Sequence, residues 1–444
     1  MTQLPLMNRE LGEVLAWHQN EHVTAGRFVH QAHCLARRLP AGGHTINLCH
    51  DRYIFSLAFA AAIIARSTTL LPANRLPATV DELLERFPDS VVIRDRPIEG
   101  MDHPCLDPTA LRYSDGQADV VPLIDADLLA AIVFTSGTSG PGSSILKPWY
   151  TLYFSSLINA VEYGPTETLT HAVATVPPQH MWGLETSVLL PWFSPLCMAS
   201  GQPFFAVDII DQLRALPEPR ALFSAPVHLR TLAECGQPLE SVARIYSATA
   251  PLSVALAREL ESRTGARVTE VYGCSEAGCL AWREPAHGER WQPFQAFSFE
   301  RVNGTYQVDA GHLTGPVPLL DHLQVDQDGL FRLAGRHGDL VNIAGKRASL
   351  CELTERLLAI DGVVDGVIFQ PPERADGPVG RLAALVVAPN LSMSELRREL
   401  ARHLDPAFMP RPLRLVEYLP RAENGKLPRQ TLDRFFQQVC EQTA

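Results

Sequence analysis

The chain has 444 residues, and its 46% hydrophobic and 20% charged composition is typical of a globular enzyme and excludes a disordered chain. A formal net charge of -11 argues against nucleic-acid binding, which normally requires a basic face. A chain of this length exceeds one ordinary hydrophobic core and predicts two or three lobes.

The first hundred residues predict alternating strands and helices. Met1–Glu10 lacks the basic stretch and apolar run of a signal peptide. After it, a strand begins near Thr45, helices are predicted at 56–65 and 79–87, and strands at 69–71 and 90–93. Strands that alternate with helices in this way indicate a parallel sheet built from βαβ units.

Two features of the sequence bear on the compartment. The most apolar stretch, Leu57–Ile64, is far shorter than the roughly 20 residues that a membrane span needs. The nine cysteines are scattered, with no CxxC pair and no His/Cys spacing typical of zinc. We therefore expect a cytoplasmic protein with reduced thiols and no membrane span.

Residues 95–121 are predicted to form a loop. The most informative junction of the sequence comes after this loop, at the end of the next predicted strand. The apolar run Leu128–Phe134 predicts a buried strand, and tiny side chains follow it at once. Such a loop is either a surface turn or a place where backbone N–H groups and hydroxyls approach a polyanion, and the buried strand favours the second. No GK[ST] follows, which excludes the P-loop signature. The candidate phosphate-binding residues are Thr135, Ser136, Gly137, Thr138, Ser139 and Gly140.

Phe134–Gly140, FTSGTSG, resembles the TSGTTGxPK signature of the adenylate-forming superfamily, which includes acyl- and aryl-CoA synthetases, adenylation domains and luciferases. Further segments resemble the family's motifs in the family's order, so that the resemblance covers about residues 45–431. They are PQHMWG at Pro178–Gly183, SATAPL at Ser247–Leu252, VYGCSEAG at Val271–Gly278, DHLQVDQDG at Asp321–Gly329, GRHGDLVNIAGKR at Gly335–Arg347 and LPRAENGKLPR at Leu419–Arg429.

The resemblance implies ATP and Mg²⁺ as cofactors and assigns residues to them. Tyr272 would stack on adenine, Asp321 would accept hydrogen bonds from the ribose hydroxyls, and Arg336 would reach the nucleotide. Glu276 would bind Mg²⁺, a cation that prefers oxygen ligands. The remaining implied nucleotide contacts are Ala248, Thr249, Ala250, Gly273 and Ser275.

The resemblance also implies an acid pocket and a catalytic lysine. Lys426 would be that lysine. The pocket would be lined by His180, Trp182, Val271, Gly273 and Gly278. These side chains could frame a flat ring, and they could equally border a short aliphatic acid.

The implied fold is α/β, with a large N-terminal domain of stacked αβ subdomains and a β-rich part at 1–335, and a small mobile α+β C-terminal domain at 336–444. Gly338 and Asp339 would form the hinge, and Gly345 would leave room for the incoming phosphopantetheine arm. Within 326–329, the sequence DQDG predicts a hairpin turn.

The main departure from the family pattern follows the small-residue loop. Gly142 and Ser143 stand where the family has PK, and the next lysine is Lys147. Either Lys147 reaches back to the β- and γ-phosphates, which we favour, or that role is lost.

The sequence thus predicts an AMP-forming acid–thiol ligase. Its compactness and displaced lysine resemble the ligases of aryl-polyene and xanthomonadin pigment pathways, which implies a hydroxybenzoate-type acid, such as 3- or 4-hydroxybenzoate, and a phosphopantetheine acceptor on an acyl carrier protein or CoA. The alternatives are a medium-chain fatty acyl-CoA synthetase and a non-catalytic homologue that binds nucleotide or carrier protein.

Overall fold

The computed structural model describes residues 2–111, 113, 115–134, 144–164, 168–336, 339–343, 346–371, 381–422 and 425–441. Two large sheets organise the first 300 residues, and smaller sheets follow them. The described chain is therefore mixed α/β, as predicted.

The first large sheet has six strands. Five of them are parallel, and the sixth is an antiparallel strand at one edge, which comes first in the order below. In spatial order they are β10 (Ser144–Pro148), β9 (Leu129–Phe134), β5 (Thr68–Leu71), β4 (His44–Asn47), β6 (Ser90–Ile93) and β7 (Cys105–Leu106). A separate pair joins β1 (Gln3–Pro5) to β8 (Leu123–Asp125). The small-residue loop predicted to bind phosphate connects β9 to β10.

The second large sheet has nine strands, and its six central strands are parallel. In spatial order they are β17 (Gln292–Pro293), β16 (Gly278–Arg283), β15 (Arg267–Cys274), β14 (Arg244–Ser247), β13 (Arg220–Ser224), β11 (Thr170–Ala174), β12 (Leu196–Ala199), β2 (Val14–His18) and β3 (Glu21–Thr24). Its antiparallel strands lie at the two edges.

Two helices, α1 (Ala25–Ala36) and α2 (Arg52–Ile64), share one hydrophobic core with strands of both large sheets. Asp51 caps helix α2, and its side chain accepts a hydrogen bond from the Ile54 N–H at 3.1 Å. Its residues are buried on every face, because both sheets and α1 surround it. The apolar stretch Leu57–Ile64 is thus an internal helix.

The other helices of the first 335 residues cover the sheets or follow their strands. They are α3 (Pro77–Arg86), α4 (Trp149–Glu162), α5 (Met181–Gly183), α6 (Leu190–Phe193), α7 (Ala206–Arg214), α8 (Pro226–Glu234) and α9 (Val254–Thr264). A π-helical segment, Leu184–Leu189, joins α5 to α6. A 3₁₀ turn lies at Pro108–Ala110.

Short antiparallel strands make up the β-rich part predicted after residue 297. They are β18 (Ser298–Val302), β19 (Thr305–Asp309), β20 (Val317–Pro318), β21 (Asp321–Val325) and β22 (Phe331–Arg336). The DQDG segment turns between β21 and β22, with the Gly329 N–H donating to the Asp326 carbonyl at 3.1 Å. The predicted hairpin turn is confirmed.

The last hundred residues build their own cores from two small sheets and three helices. The strands are β23 (Leu340–Ile343), β24 (Lys346–Ser349), β25 (Asp365–Phe369), β26 (Ala383–Val387) and β27 (Leu413–Leu415). The helices are α10 (Leu350–Leu358), α11 (Met393–His403) and α12 (Arg429–Glu441), with a 3₁₀ turn at Pro406–Phe408. These cores agree with the division after residue 335, which stays a proposal.

The element predictions hold in type, and their bounds move by a few residues. Helix α2 starts at Arg52, four residues before the predicted start, because Asp51 caps it. The predicted loop at 95–121 contains the short strand β7 and one 3₁₀ turn. In the described part of the chain, no helix is long and apolar enough to cross a bilayer. All nine cysteines are free thiols.

Arg52, at the start of α2, holds the two large sheets together. Its guanidinium is fully buried and donates to the carbonyls of Ala174 at 2.7 Å and Val176 at 3.0 Å, and also to the Ser187 hydroxyl. Burial lowers the pKa of Arg52. Removal of the guanidinium leaves buried acceptors without donors, a change that destabilises proteins strongly.

We predict that Arg52→Met lowers the free energy of unfolding by about 2–4 kcal/mol, because two backbone carbonyls lose their charged donor. Arg214→Met, at an exposed ion pair, is the control and should change it by less than about 0.5 kcal/mol. Urea unfolding followed by circular dichroism measures both. Equal midpoints for the two variants would contradict the prediction.

Candidate active site

Three predicted site residues follow neighbouring strands of the nine-stranded sheet. The parallel strands β11, β13, β14 and β15 lie side by side, and their carboxyl ends meet at one edge of the sheet. The loops after β11, β14 and β15 carry His180, Thr249 and Glu276. Ligands of parallel α/β sheets bind at such an edge.

Tyr272 and Asp321, two residues predicted to bind the nucleotide, meet in the structure. The Tyr272 hydroxyl donates to the Asp321 Oδ2 at 2.8 Å, and the ring packs edge-on against Trp291 and Phe331. Asp321 lies opposite Arg336 in the β21–β22 ladder. One hydrogen bond thus fixes the residue predicted to stack on adenine against the residue predicted to bind ribose.

The turn at Ala248, Thr249 and Ala250 follows β14 and is strained. Thr249 has a φ of +79°, a conformation that a β-branched residue rarely adopts. Its hydroxyl is buried and finds no hydrogen-bond partner within the described chain. An outlier of this kind is typical of a ligand-binding site.

The segment that carries Lys426 packs on the same turn. Gly425 is buried, and a Cβ built on it would lie 3.3 Å from the Ala225 Cβ and 3.8 Å from the Thr249 Oγ1. The Ala422 N–H donates to the Lys426 carbonyl at 2.8 Å, which closes the turn and leaves the lysine side chain exposed.

Lys426 also lies within electrostatic range of His180. Burial, the Lys426 ammonium and the Arg75 guanidinium together lower the pKa of His180 to about 4. The imidazole is therefore neutral at pH 7. The catalytic lysine predicted near the C-terminus and the histidine predicted in the acid pocket are 246 positions apart in sequence and neighbours in the fold.

Lys147 lies on β10 and is only 1% exposed. Its ammonium donates to the backbone carbonyl of Glu276 at 2.8 Å, so it supports the turn that carries the predicted Mg²⁺ ligand. Burial lowers the pKa of Lys147, and the charges of Glu185, Cys274 and Glu276 oppose this effect. Contact with the β- and γ-phosphates stays a prediction.

The hairpin between β15 and β16 brings Gly273 and Gly278 close together. A Cβ at Gly273 would lie 2.3 Å from the Gly278 carbonyl oxygen, and a Cβ at Gly278 would lie 2.3 Å from the Glu185 Oε1. Gly278 also has a φ of +84°. Both positions therefore require glycine. Ser275 and Glu276 form the turn between them, and the Glu276 side chain is exposed.

Trp182 and Val271, two other predicted pocket residues, pack in one cluster with Cys279. His180 precedes α5 directly, and Trp182 lies within that helix. The five residues predicted to line the acid pocket therefore come from two neighbouring segments, 180–182 and 271–278.

Of the remaining predicted residues, the structure describes only some. Thr135, Ser136, Gly137, Thr138, Ser139 and Gly140, together with Gly338 and Gly345, lie outside the described residues. Asp339 is described, and its carbonyl accepts a hydrogen bond from the Leu350 N–H at 2.9 Å.

Two buried polar residues beside the pocket were not predicted. Glu185 lies in the π-helical segment, and Asn159 lies on α4, and each is 1% exposed. The signal for Glu185 was present, since it is the one charged residue in the largely apolar run from 181 to 193. Asn159 has no comparable sequence signal.

Comparison with known proteins identifies the family. The model of the family described as AMP-binding enzyme matches residues 15–341. The chain belongs to the AMP-binding enzyme family. The predictions of an adenylate-forming enzyme and of its fold class are confirmed. The aryl-polyene subtype is untested.

Two relatives and one solved structure are similar to this AMP-binding enzyme. A 3,4-dihydroxybenzoate–[aryl-carrier protein] ligase of Bacillus anthracis is 22% identical, over 68% of this chain and 72% of the relative. The mitochondrial acyl-coenzyme A synthetase ACSM3 of Rattus norvegicus is 24% identical, over 69% of this chain, which spans only 61% of that protein. ATP-bound MatB from Rhodopseudomonas palustris superposes with a TM-score of 0.81 at 18% identity, covering 97% of both chains.

We predict that the His180 imidazole stays neutral from pH 8 to pH 5.5 and binds a proton only near pH 4. A histidine ¹³C–¹H NMR titration measures this, with the His180 signal assigned by its absence in His180→Asn. In Lys426→Ala the midpoint should move upwards, because one repelling charge is gone. A wild-type midpoint near 6.5 that the Lys426 variant leaves unchanged would contradict the geometry.

Proposed function

We propose that this enzyme activates a carboxylic acid as acyl-AMP with release of pyrophosphate, and then transfers the acyl group to a phosphopantetheine thiol. The observation that carries the proposal is the position of Lys426 beside His180 and the Thr249 turn. Lys426 thus lies within electrostatic range of a predicted acid-pocket residue, and the adjacent Gly425 packs on a predicted nucleotide-binding turn.

The first reaction joins two anions, the carboxylate and the α-phosphate of ATP. The site must therefore bring negative charges together and stabilise the charge that develops on phosphorus. The Lys426 ammonium is a compact, exposed point charge suited to this task. The neutral His180 beside it adds no competing positive charge.

ATP and Mg²⁺ fit the residues available. The Tyr272 ring and the Asp321 carboxylate would hold adenine and ribose. Glu276 offers an exposed carboxylate on a turn that Lys147 fixes through its backbone, and this oxygen donor suits Mg²⁺. When bound, Mg²⁺ supplies charge neutralisation for the phosphates. The amides and hydroxyls of 135–140 would hold the phosphates themselves.

We propose a hydroxybenzoate-type acid, such as 3- or 4-hydroxybenzoate, as the substrate. The side chains of His180, Trp182 and Val271 and the two glycines at 273 and 278 suit a flat ring. The similarity to an aryl-carrier protein ligase supports the same class. A medium-chain fatty acid is the alternative, since the acyl-coenzyme A synthetase is matched over a similar share of the chain.

The second reaction would transfer the acyl group to the thiol of an acyl carrier protein or of CoA. We propose that the C-terminal domain, 336–444, rotates about Gly338 and Asp339 between the two reactions. Gly345 would then border the phosphopantetheine arm. We further propose a cytoplasmic location, where the nine free thiols stay reduced.

We predict that Lys426→Ala lowers hydroxybenzoate-dependent pyrophosphate release about 100-fold or more, as loss of one charged donor to the reacting centre does in other enzymes. Lys346→Ala is a suitable control, because Lys346 forms a surface ion pair with Asp405 at 2.6 Å. The control should release pyrophosphate at the wild-type rate.

The same assay tests the substrate class. Benzoates, hydroxybenzoates and C6–C12 fatty acids are compared, followed by transfer to CoA or to a holo carrier protein. Saturable activity with fatty acids alone would overturn the aryl assignment. Absence of pyrophosphate release with every acid would favour a protein that binds nucleotide without turnover.

A further inference from the structure

A polar cluster lies beside the predicted acid pocket, in surroundings that are otherwise apolar. It consists of Ser155 and Asn159 on α4, Trp182 on α5, Glu185 on the π-helical segment and Cys279 on β16. These residues belong to segments that pack against one another around the core that holds Val271. Apart from Trp182, which is predicted to line the acid pocket, none of them carries a role in the chemistry described above.

Glu185 is the charged centre of the polar cluster. Its Oε1 accepts from the Ser155 hydroxyl at 2.5 Å, and its Oε2 accepts from the Cys279 thiol at 3.4 Å. Burial raises the pKa of Glu185, while the Ser155 hydrogen bond and the Lys147 charge oppose this effect. Among the described residues no cation lies within ion-pair distance of its carboxylate, so the burial is only partly compensated.

Asn159 faces the same polar cluster. It lies one helical turn after Ser155, which binds Glu185, and one turn before Tyr163, whose hydroxyl donates to the Cys279 thiol at 3.4 Å. Neither its amide nitrogen nor its amide oxygen has a hydrogen-bond partner in the described chain. The indole N–H of Trp182 is likewise buried without a partner.

Unpaired buried polar groups destabilise a folded protein. The polar cluster combines unpaired donors, at Asn159 and Trp182, with an anionic acceptor at Glu185 that has further lone pairs. A hydroxyl group satisfies both kinds of partner, since it donates one hydrogen bond and accepts others.

We propose that the polar cluster binds a hydroxyl substituent on the ring of the acid substrate, which donates to Glu185 and accepts from the Asn159 amide. The proposal rests on the proposed function, because it assumes that the acid lies against Trp182 and Gly278. Gly278 connects the predicted acid pocket to the polar cluster, since a Cβ there would lie 2.3 Å from the Glu185 Oε1. The polar cluster is then the specificity determinant of the acid pocket.

The hydroxyl contact predicts which acids the pocket rejects. A ring without a hydroxyl leaves the Asn159 amide and the Glu185 carboxylate unpaired, and sites built to bind a hydroxyl discriminate strongly against such analogues. A second carboxylate on the ring meets the negative charge of Glu185. Fatty acids bring neither the donor nor the acceptor.

The test compares kcat/KM for pyrophosphate release with hydroxybenzoates and with benzoate. We expect wild type to prefer a hydroxybenzoate at least tenfold. Asn159→Leu should reduce this preference at least tenfold, since it removes the amide and breaks no side-chain hydrogen bond. Its melting temperature should equal or exceed that of wild type, because an unpaired buried amide is lost.

Glu185→Gln is the second variant, and Glu270→Gln is its matched control. Both carboxylates are buried, but that of Glu270 is bound by Arg283 at 2.6 Å and by the Leu252 N–H at 2.9 Å, away from the polar cluster. Glu185→Gln should turn over a benzoate with a second ring carboxylate better, relative to hydroxybenzoate, than wild type does. Glu270→Gln should keep the wild-type ratio.

The outcomes separate the two proposals. Equal efficiency with benzoate and hydroxybenzoates, or an unchanged preference in Asn159→Leu, would overturn the hydroxyl contact and leave acid activation in place. A lowered melting temperature of Asn159→Leu would show a structural amide and also overturn it. No pyrophosphate release with any acid would overturn the proposed function itself.

Discussion

The buried guanidinium of Arg52 sets the geometry on which the candidate site depends. It binds the end of β11 through the carbonyls of Ala174 and Val176, and the π-helical segment through Ser187. The chain between these anchors carries His180 and Trp182. Gly183 permits the tight return, because a Cβ there would lie 2.0 Å from the Pro177 carbonyl oxygen. One cation on α2 thus holds both ends of the segment that is predicted to line the acid pocket.

Two charged side chains buried beside the candidate site support the turn of Glu276 and strand β16. Lys147 holds the turn of Glu276 by its backbone, and Glu185 holds β16 through Cys279. The opposite charges also moderate each other's pKa shifts across the hairpin. The turn predicted to face the phosphates and the glycine predicted to line the acid pocket belong to one hairpin, β15–β16, so the hairpin fixes their relative positions.

Much of the fold could be predicted, because local chemistry decides it. Alternating strands and helices predicted the parallel sheets, and DQDG predicted the β21–β22 turn. Helix bounds were less accurate, since caps such as Asp51 decide them. The nucleotide-binding roles of Tyr272 and Asp321 could be predicted only from the family resemblance. The hydrogen bond between them is visible only in the fold. Asn159 could not be predicted at all, because its importance lies in partners that it lacks.

By itself, the sequence determined the α/β class, the order of the motifs and the residue types that adenylate formation requires. The α/β class follows from periodicity along the chain, and the motifs with their residue types follow from the resemblance to the adenylate-forming superfamily. Only the tertiary structure decided that Lys426 lies beside His180, that Lys147 is buried against Glu276, and that Glu185 meets Asn159's helix beside Gly278. These contacts join segments far apart in the chain, and the packing of helices between two sheets determines which of them meet.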